Sequence, residues 1–408
     1  MTKKVIIKEN KQYTLPEIEQ SIREIFAELC VFDFLKGKKT VLLKPNLLGA
    51  HHPDKAVTTH PFVLEAVIRT LKDCEVEIIV GDSSGGTVKA EQVWNVTGLQ
   101  AVCEKYSVPL VEFGRDGVTV VETAVGTLNF GKTAASCDVI INLPKMKTHS
   151  LMLYTGAVKN LFGTIAGLGK SELHKLYPSP ESFSDVLTTI YDFYRDKVVL
   201  NILDGVVGMH GEGPSAGKPY PFGLIMASRS ASAMDAVAAK MMGFQVEQIP
   251  YIRESLKIDN IKPEDIAIDQ KWQNHIFRKV KINTVLFSNK ILNKMPRFVR
   301  FVIKLIFSYY PRFSPDCQLC LICVQCCPVK ALTVSEKKIN LDKSRCIKCL
   351  CCHEMCPHSA ISFRRKLFFP ARRERCLAKR TSFRYIRAKH TPFFPAPAER
   401  GGNGVDGV

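Results

Sequence analysis

Cysteine is scarce through the first three quarters of this 408-residue chain. Of fifteen cysteines, ten fall between Cys317 and Cys356, leaving only Cys30, Cys74, Cys103, Cys137 and Cys376 elsewhere. A secreted disulfide framework distributes its cysteines along a small domain, so this clustering speaks for metal ligation in a reducing compartment. The stretch Met1–Asn10 has no apolar run of signal-peptide length. No segment approaches the roughly 20 uncharged residues that a membrane span needs. A soluble cytoplasmic protein is the expectation. A dinucleotide fingerprint is also missing, since Gly211-x-Gly213 falls short of it. Gly163 to Ser171 looks like a phosphate loop, yet five residues separate Gly163 from Gly169 where four are needed, and no clear strand precedes it. Nucleoside triphosphate binding is therefore not expected.

An evenly spread charge is absent too. The formal net charge is +18, but residues 288–408 hold 24 Lys and Arg against 7 Asp and Glu, while residues 1–287 hold 33 against 32. The large N-terminal portion is electrically balanced, and the basic character belongs to a connector and a tail. No specific nucleic-acid partner is expected from it.

What is present is a duplicated cysteine motif. Cys317, Cys320, Cys323 and Cys327-Pro328 fit C-x2-C-x2-C-x3-C-P, as do Cys346, Cys349, Cys352 and Cys356-Pro357. That is the bacterial ferredoxin spacing for a [4Fe–4S] cubane. The second run repeats the first at a shift of 29 residues, and Ala331-Leu332 recurs as Ala360-Ile361. Three thiolates two residues apart let one tight loop reach three corners of a cube, and in two-cluster ferredoxins the fourth corner comes from the other run. The expected cofactors are thus two [4Fe–4S] clusters. One is held by Cys317, Cys320, Cys323 and Cys356, the other by Cys346, Cys349, Cys352 and Cys327. Cys326 and Cys351 fall outside the pattern.

Residues 1–285 read as alternating strands and helices. Apolar strands are expected at Val5–Ile7, Val41–Lys44, Glu77–Val80, Pro109–Phe113, Val139–Leu143, Val198–Leu203 and Leu224–Ala227. Amphipathic helices are expected at Leu15–Leu35, after Thr59, and at Glu91–Tyr106, Phe183–Arg195 and Ala231–Met242. This pattern predicts a doubly wound, mostly parallel α/β sheet, followed by a small ferredoxin-like α+β domain at 313–363. Ligands of such sheets bind beyond the carboxyl ends of the strands. Polar residues gather there: Lys44-Pro45-Asn46, Gly81-Asp82-Ser83-Ser84-Gly85-Gly86, Asn142 to His149, and Asp204-Gly205. Lys44, Lys145, Lys147 and Lys159 are candidates to neutralise a small anionic substrate, with Asp82, His149 and Asp204 as proton carriers.

Residues 286–312 read as a helical linker with a basic stripe at Lys290, Lys294, Arg297, Arg300 and Lys304. A linker packed between domains is preferred to a helix lying on a membrane surface. The tail 364–408, with 12 Lys and Arg against 3 acids, reads as a basic disordered extension.

Several of these landmarks resemble the domain-of-unknown-function 362 family over roughly residues 38–245. They are Lys44-Pro45-Asn46, Thr58-Thr59-His60-Pro61, Gly81-Asp82, Asn142 to His149, Gly156-Ala157-Val158-Lys159-Asn160-Leu161-Phe162-Gly163, and the turn from Asp204 to Gly217. His60 stands where that family leads one to expect an acidic or amide residue. The resemblance implies an iron–sulfur protein with a C-terminal 2[4Fe–4S] domain and carries no assigned catalytic residues. The expected function is a reductase or redox-enzyme component with a redox partner protein, passing electrons from the clusters to a substrate in the α/β domain. The alternative is a non-enzymatic electron shuttle, or an iron–sulfur maturation partner that docks another protein.

Overall fold

The computed structural model describes residues 3–85, 89–167, 169–277, 280 and 310–363. All lie within the compact unit Met1–Leu367. The basic stripe of the linker, the tail and Gly86 fall outside the described residues.

Strand β1 (Ile6–Glu9) precedes helix α1 (Leu15–Glu28), whose Ile18, Ile22, Ile25 and Phe26 make one buried face. The expected helix to Leu35 is interrupted, because Cys30 takes a left-handed φ of 53° before the short α2 (Val31–Leu35). After β2 (Thr40–Pro45), His60 caps α3 (Pro61–Leu71) by accepting from the Phe62 N–H at 3.1 Å. The ring nitrogen fills the capping role usually given to an Asp or Asn oxygen. β3 (Glu77–Asp82) leads to α4 (Ala90–Val96) and α5 (Leu99–Tyr106). Gly98, at a φ of 74°, divides what the sequence suggested as one helix.

β4 (Leu110–Glu112) is followed by a hairpin of β5 (Val118–Thr123) and β6 (Gly126–Gly131), and by α6 (Lys132–Ser136). Next come β7 (Val139–Leu143), β8 (Lys145–His149), β9 (Leu153–Thr155), α7 (Ala157–Asn160), α8 (Gly169–Leu176) and α9 (Pro180–Tyr194). β10 (Val198–His210) runs for 13 residues, well past Leu203, and is followed by β11 (Lys218–Tyr220), β12 (Leu224–Ser228), α10 (Ala231–Met241) and α11 (Pro250–Ile258).

The main sheet has the order β1-β12-β10-β7-β2-β3-β4. From β10 to β4 every pairing is parallel, while β12 and β1 close one edge antiparallel. Alternate strand residues feed opposite layers. Val41, Leu43, Val139 and Ile141 pack with α1, α3, α4 and α5, whereas Leu42 and Ile140 pack with α7, α9, α10 and α11. The sheet is covered on both faces, as the near-continuous apolar strands anticipate.

The C-terminal segment repeats a small unit. β13 (Pro311–Phe313), α12 (Ile322–Gln325) and β14 (Leu332–Ser335) are echoed by β15 (Lys338–Leu341), α13 (Cys351–Glu354) and β16 (Ile361–Phe363). Each half pairs with the other end, β13 with β16 and β14 with β15, both antiparallel. The 29-residue shift extends to the backbone. Leu319, Leu321 and Lys330 have φ of 52°, 63° and 51°, and Lys348, Leu350 and Ser359 have 59°, 66° and 52°. Among the described residues no helix is long and apolar enough to cross a membrane.

Candidate functional site

The two cysteine runs exchange their fourth member. Cys317, Cys320, Cys323 and Cys356 border one space. Cys327, Cys346, Cys349 and Cys352, with Cys351 beside them, border another. Burial and the neighbouring Cys320, Cys356 and Cys317 push the Cys323 thiol up to about 11, as expected where four thiols crowd together. The Ala331 N–H donates to Cys327 Sγ at 3.2 Å and the Ala360 N–H to Cys356 Sγ at 3.3 Å, the same contact in both repeats. Such N–H···S bonds stabilise a ligating thiolate. The described cysteines are free thiols. Among the described residues no three His, Cys, Asp or Glu side chains converge on the position of a single ion. Four sulfurs around a space, each run lending its last cysteine to the other, fit a four-iron cube.

At the carboxyl ends of β2, β3 and β7 the sequence's polar clusters meet. Lys44 Nζ lies 3.0 Å from Asp82 Oδ1, with both side chains buried. Asp82 also accepts from the N–H groups of Ser83 at 2.7 Å and Leu47 at 3.0 Å. Gly163 rides directly over this pair, where a Cβ would stand 2.2 Å from Asp82 Oδ1 and 2.5 Å from Lys44 Nζ. A chain of amides runs beside it. Asn46 Nδ2 donates to Asn160 Oδ1 at 2.9 Å, Asn160 Nδ2 to Asn142 Oδ1 at 2.8 Å, and Asn142 Nδ2 to Asn201 Oδ1 at 2.9 Å. Asp235 accepts from the N–H groups of Ala157 at 2.6 Å and Val158 at 2.9 Å, fixing the start of α7. Burial nonetheless pushes its carboxyl up to about 7.

Asn46, Asp82, Asn160 and Gly163 from these clusters border a part-open cavity. Asp82, Lys147, Lys159, Lys170, Asn46 and Asn160 line one side. Cys326, Cys351, Glu354 and Met355, all from the cysteine-rich segment, line another. Lys147 Nζ donates to the Val57 carbonyl at 2.7 Å. Lys159 Nζ stands 5.7 Å from the centre of the Phe162 ring. Burial lowers the pKa of both lysines; the Lys159 charge depresses Lys147 further, while Glu354 partly offsets the effect at Lys159. Lys170, which donates to the Ser83 carbonyl, is brought down to about 8 by burial, with Asp82 opposing.

His149 Nδ1 accepts from the N–H groups of Leu151 at 3.1 Å and Met152 at 3.2 Å, so its proton resides on Nε2. That atom lies 3.4 Å from Glu354 Oε1. Burial and then Lys159 depress the His149 pKa well below the ordinary range, leaving the ring neutral.

Two of the expected site residues belong elsewhere. Lys145 Nζ lies 2.7 Å from Asp204 Oδ2 and donates to Tyr13 Oη at 2.7 Å, and Tyr13 Oη donates to Asp204 Oδ1 at 2.8 Å. The His60 N–H donates to Asp204 Oδ2 at 2.9 Å, and the His60 ring stacks on Tyr13 at 3.6 Å. This network is closed on itself and neither residue lines the cavity. Of the expected residues, Asp82, Lys147 and Lys159 line the cavity; Lys44 and His149 lie behind it, against Asp82 and Glu354, and Lys145 and Asp204 are set apart.

Sequence reasoning missed Lys170, His174, Thr155 and Glu354, all cavity residues. It also treated Cys326 and Cys351 only as cysteines outside the pattern, whereas both reach the cavity wall. The cysteine-rich segment is held in place by polar contacts. Ser215 Oγ donates to the Glu354 carbonyl at 2.7 Å, His353 Nε2 lies 3.3 Å from Ser150 Oγ, and His353 Nδ1 lies 2.7 Å from the Ile361 carbonyl. Met355 packs on Gly85, where a Cβ would approach its sulfur to 3.0 Å.

Family models match both portions of the chain, the second over one of the two cysteine runs. A family model described as domain of unknown function (DUF362) matches residues 41–240, and one described as a 4Fe-4S binding domain matches residues 339–362. The chain is similar to a thylakoid-associated protein of Synechocystis sp., 30% identical over 252 residues, covering 61% of this chain and 78% of that protein. Among solved structures, lactate racemase apoprotein from Thermoanaerobacterium thermosaccharolyticum is 14% identical with a TM-score of 0.37, over 55% of this chain and 54% of that one. A Thermotoga maritima protein is 12% identical with a TM-score of 0.38, over 62% and 60%. The chain thus spans a little over half the length of these two structures.

Proposed function

We propose that this chain, which belongs to the DUF362 family, is a reductase component that passes electrons from two [4Fe–4S] clusters to a small anion in the cavity at the strand ends. Cys317, Cys320, Cys323 and Cys356 hold one cluster, and Cys346, Cys349, Cys352 and Cys327 the other. Each cluster, when bound, takes up and gives back a single electron. The observation that carries this reading is the composition of one cavity wall: Cys351, which borders the second cysteine-lined space, also faces the lysines. A bound anion stands next to the electron source within the same polypeptide, which makes delivery intramolecular.

The chain's own residues divide the remaining work. Lys147 and Lys159 face the cavity without a carboxylate in ion-pair contact among the described residues, and they attract and polarise the anion. Lys44 and Asp82 neutralise one another and fix the floor. Lys170, brought down to about 8, holds a proton that it can yield near neutral pH. Neutral His149 carries its proton on Nε2, 3.4 Å from Glu354 Oε1. The burial of these lysines around a concave space favours this reading over a shuttle whose large domain only docks a partner.

The test begins with anaerobic purification of the full chain and counting of iron and sulfide, expected at about eight of each. Dithionite-reduced protein is then mixed with anionic and non-anionic metabolite fractions while cluster absorbance is followed. The expected result is reoxidation by an anionic fraction, abolished in Lys147→Met and Lys159→Met. Intact clusters that reduce an artificial acceptor but no anionic fraction would overturn the reading.

A further inference from the structure

The run from Gly163 to Ser171 lacks the spacing of a nucleotide phosphate loop, yet it lies against the cavity. Gly163 and Gly167 line the space, and the chain then enters α8, whose Lys170, Ser171 and His174 face it. The first N–H groups of a helix have no intrahelical acceptor, and the helix dipole favours negative charge beside them. A helix start alone does not make a site.

A second observation points to a ligand there. His174 is 6% exposed and Thr155 is 3% exposed, and both line the cavity. Among the described residues, His174 Nδ1 and Thr155 Oγ1 are nevertheless buried without a hydrogen-bond partner. Orphaned polar atoms of this kind cost free energy unless something fills the space between them.

Charge narrows the class. Among the described residues Lys147, Lys159 and Lys170 have no carboxylate within ion-pair distance, because Asp82 is held by Lys44. Glu354 is the other carboxylate on the lining. Three lysines against one glutamate make the lining basic, which favours an anion such as a phosphate monoester. Lys147, Lys159 and Lys170 all line the same cavity. A phosphoryl group concentrates its charge and three acceptor oxygens on one atom, whereas a dicarboxylate spreads two charges apart.

We propose that the cavity binds a small phosphorylated molecule, its phosphoryl group seated between Lys147 and Lys159 on one side and Lys170 and Ser171 at the start of α8 on the other. This rests on the reading of the cavity as an anion site. The rest of the ligand then lies along Phe162 and Met355, toward Cys326 and Cys351, and supplies the partners that His174 Nδ1 and Thr155 Oγ1 lack.

Isothermal titration of the anaerobic, cluster-loaded full chain with glycerol 3-phosphate, inorganic phosphate and succinate tests it. Glycerol 3-phosphate and phosphate are expected to bind at least about tenfold more tightly than succinate, the ester at least as tightly as phosphate. Ser171→Ala is expected to weaken the phosphate probes about threefold, and Lys159→Met by more than about tenfold, with the thermal midpoint of each variant checked first. Succinate binding as tightly as the phosphates overturns the phosphoryl assignment and leaves the anion cavity standing. Phosphate binding without the ester limits the site to the free ion and also overturns the proposal. Phosphate binding untouched by both variants places it elsewhere and does the same. No binding of any probe removes the anion cavity as well.

Discussion

Lys145 and Lys147 stand two residues apart on the same strand, and both are fully buried. The first ends in a closed network with Asp204, Tyr13 and His60. The second ends on the Val57 carbonyl, with Lys159 as a cationic neighbour and open cavity beyond it. The same residue type, at equal burial, thus serves the fold in one place and remains available to a ligand in the other. What separates them is whether the chain itself supplies the carboxylate. Lys44, satisfied by Asp82, belongs with Lys145 in this respect; Lys159 and Lys170 belong with Lys147.

The largest effect should come from breaking the closed side. Asp204→Ala leaves the Lys145 ammonium buried and uncompensated, with an expected loss of about 3–5 kcal/mol in denaturant unfolding. A loss below about 1 kcal/mol would show that the network is solvated rather than closed. Asp235→Asn comes next. It keeps the shape but swaps one of two acceptors at the start of α7 for a donor, at an expected cost of about 1–3 kcal/mol.

The open side should respond in the opposite way. Lys147→Met removes a buried cation that lacks a carboxylate partner, so the unfolding free energy should change by no more than about 1 kcal/mol. Retention of the anion under calorimetry, despite that change, would erase the distinction between the two lysines. The smallest effect is a pH dependence. Lys170 titrates at about 8 in the folded chain, below its ordinary 10.5. Between those values the unfolded chain binds more protons, so this lysine's contribution to stability rises with pH across that window. Anion binding favours the protonated amine, and affinity should therefore decline as pH rises through about 8. A flat profile from pH 7 to 9 would exclude Lys170 from the site.

The cysteine centre was the most legible part of the chain, because its information is local. Ligand spacing, the trailing proline and the 29-residue repeat all lie within one stretch, and the left-handed residues at Leu321 and Leu350 follow the same repeat. The layers of the main sheet were legible too, since apolar strands buried on both faces announce themselves. Less of the lysine site could be read. That Lys145 meets Asp204, 59 positions on, while Lys147 meets no carboxylate among the described residues, depends on how far β10 runs beyond its pairing with β7 to pair with β8. Gly205 and Gly208 hid that extension. β8 was hidden for a related reason: Lys-Met-Lys-Thr-His has none of the apolar alternation that marks a strand, although all five residues are buried. The signal for Lys170 was present as a glycine-rich run entering a helix, but it was judged by a nucleotide-loop spacing that this cavity does not need.

The central claim is that a bound anion sits beside the cysteine-held clusters. Pulsed EPR of the dithionite-reduced full chain with phosphate at a concentration that saturates it by calorimetry tests this most directly. The account predicts a phosphorus-31 hyperfine coupling on the cluster signal that disappears in Lys159→Met. A full-strength cluster signal with saturating phosphate and no phosphorus coupling would contradict it.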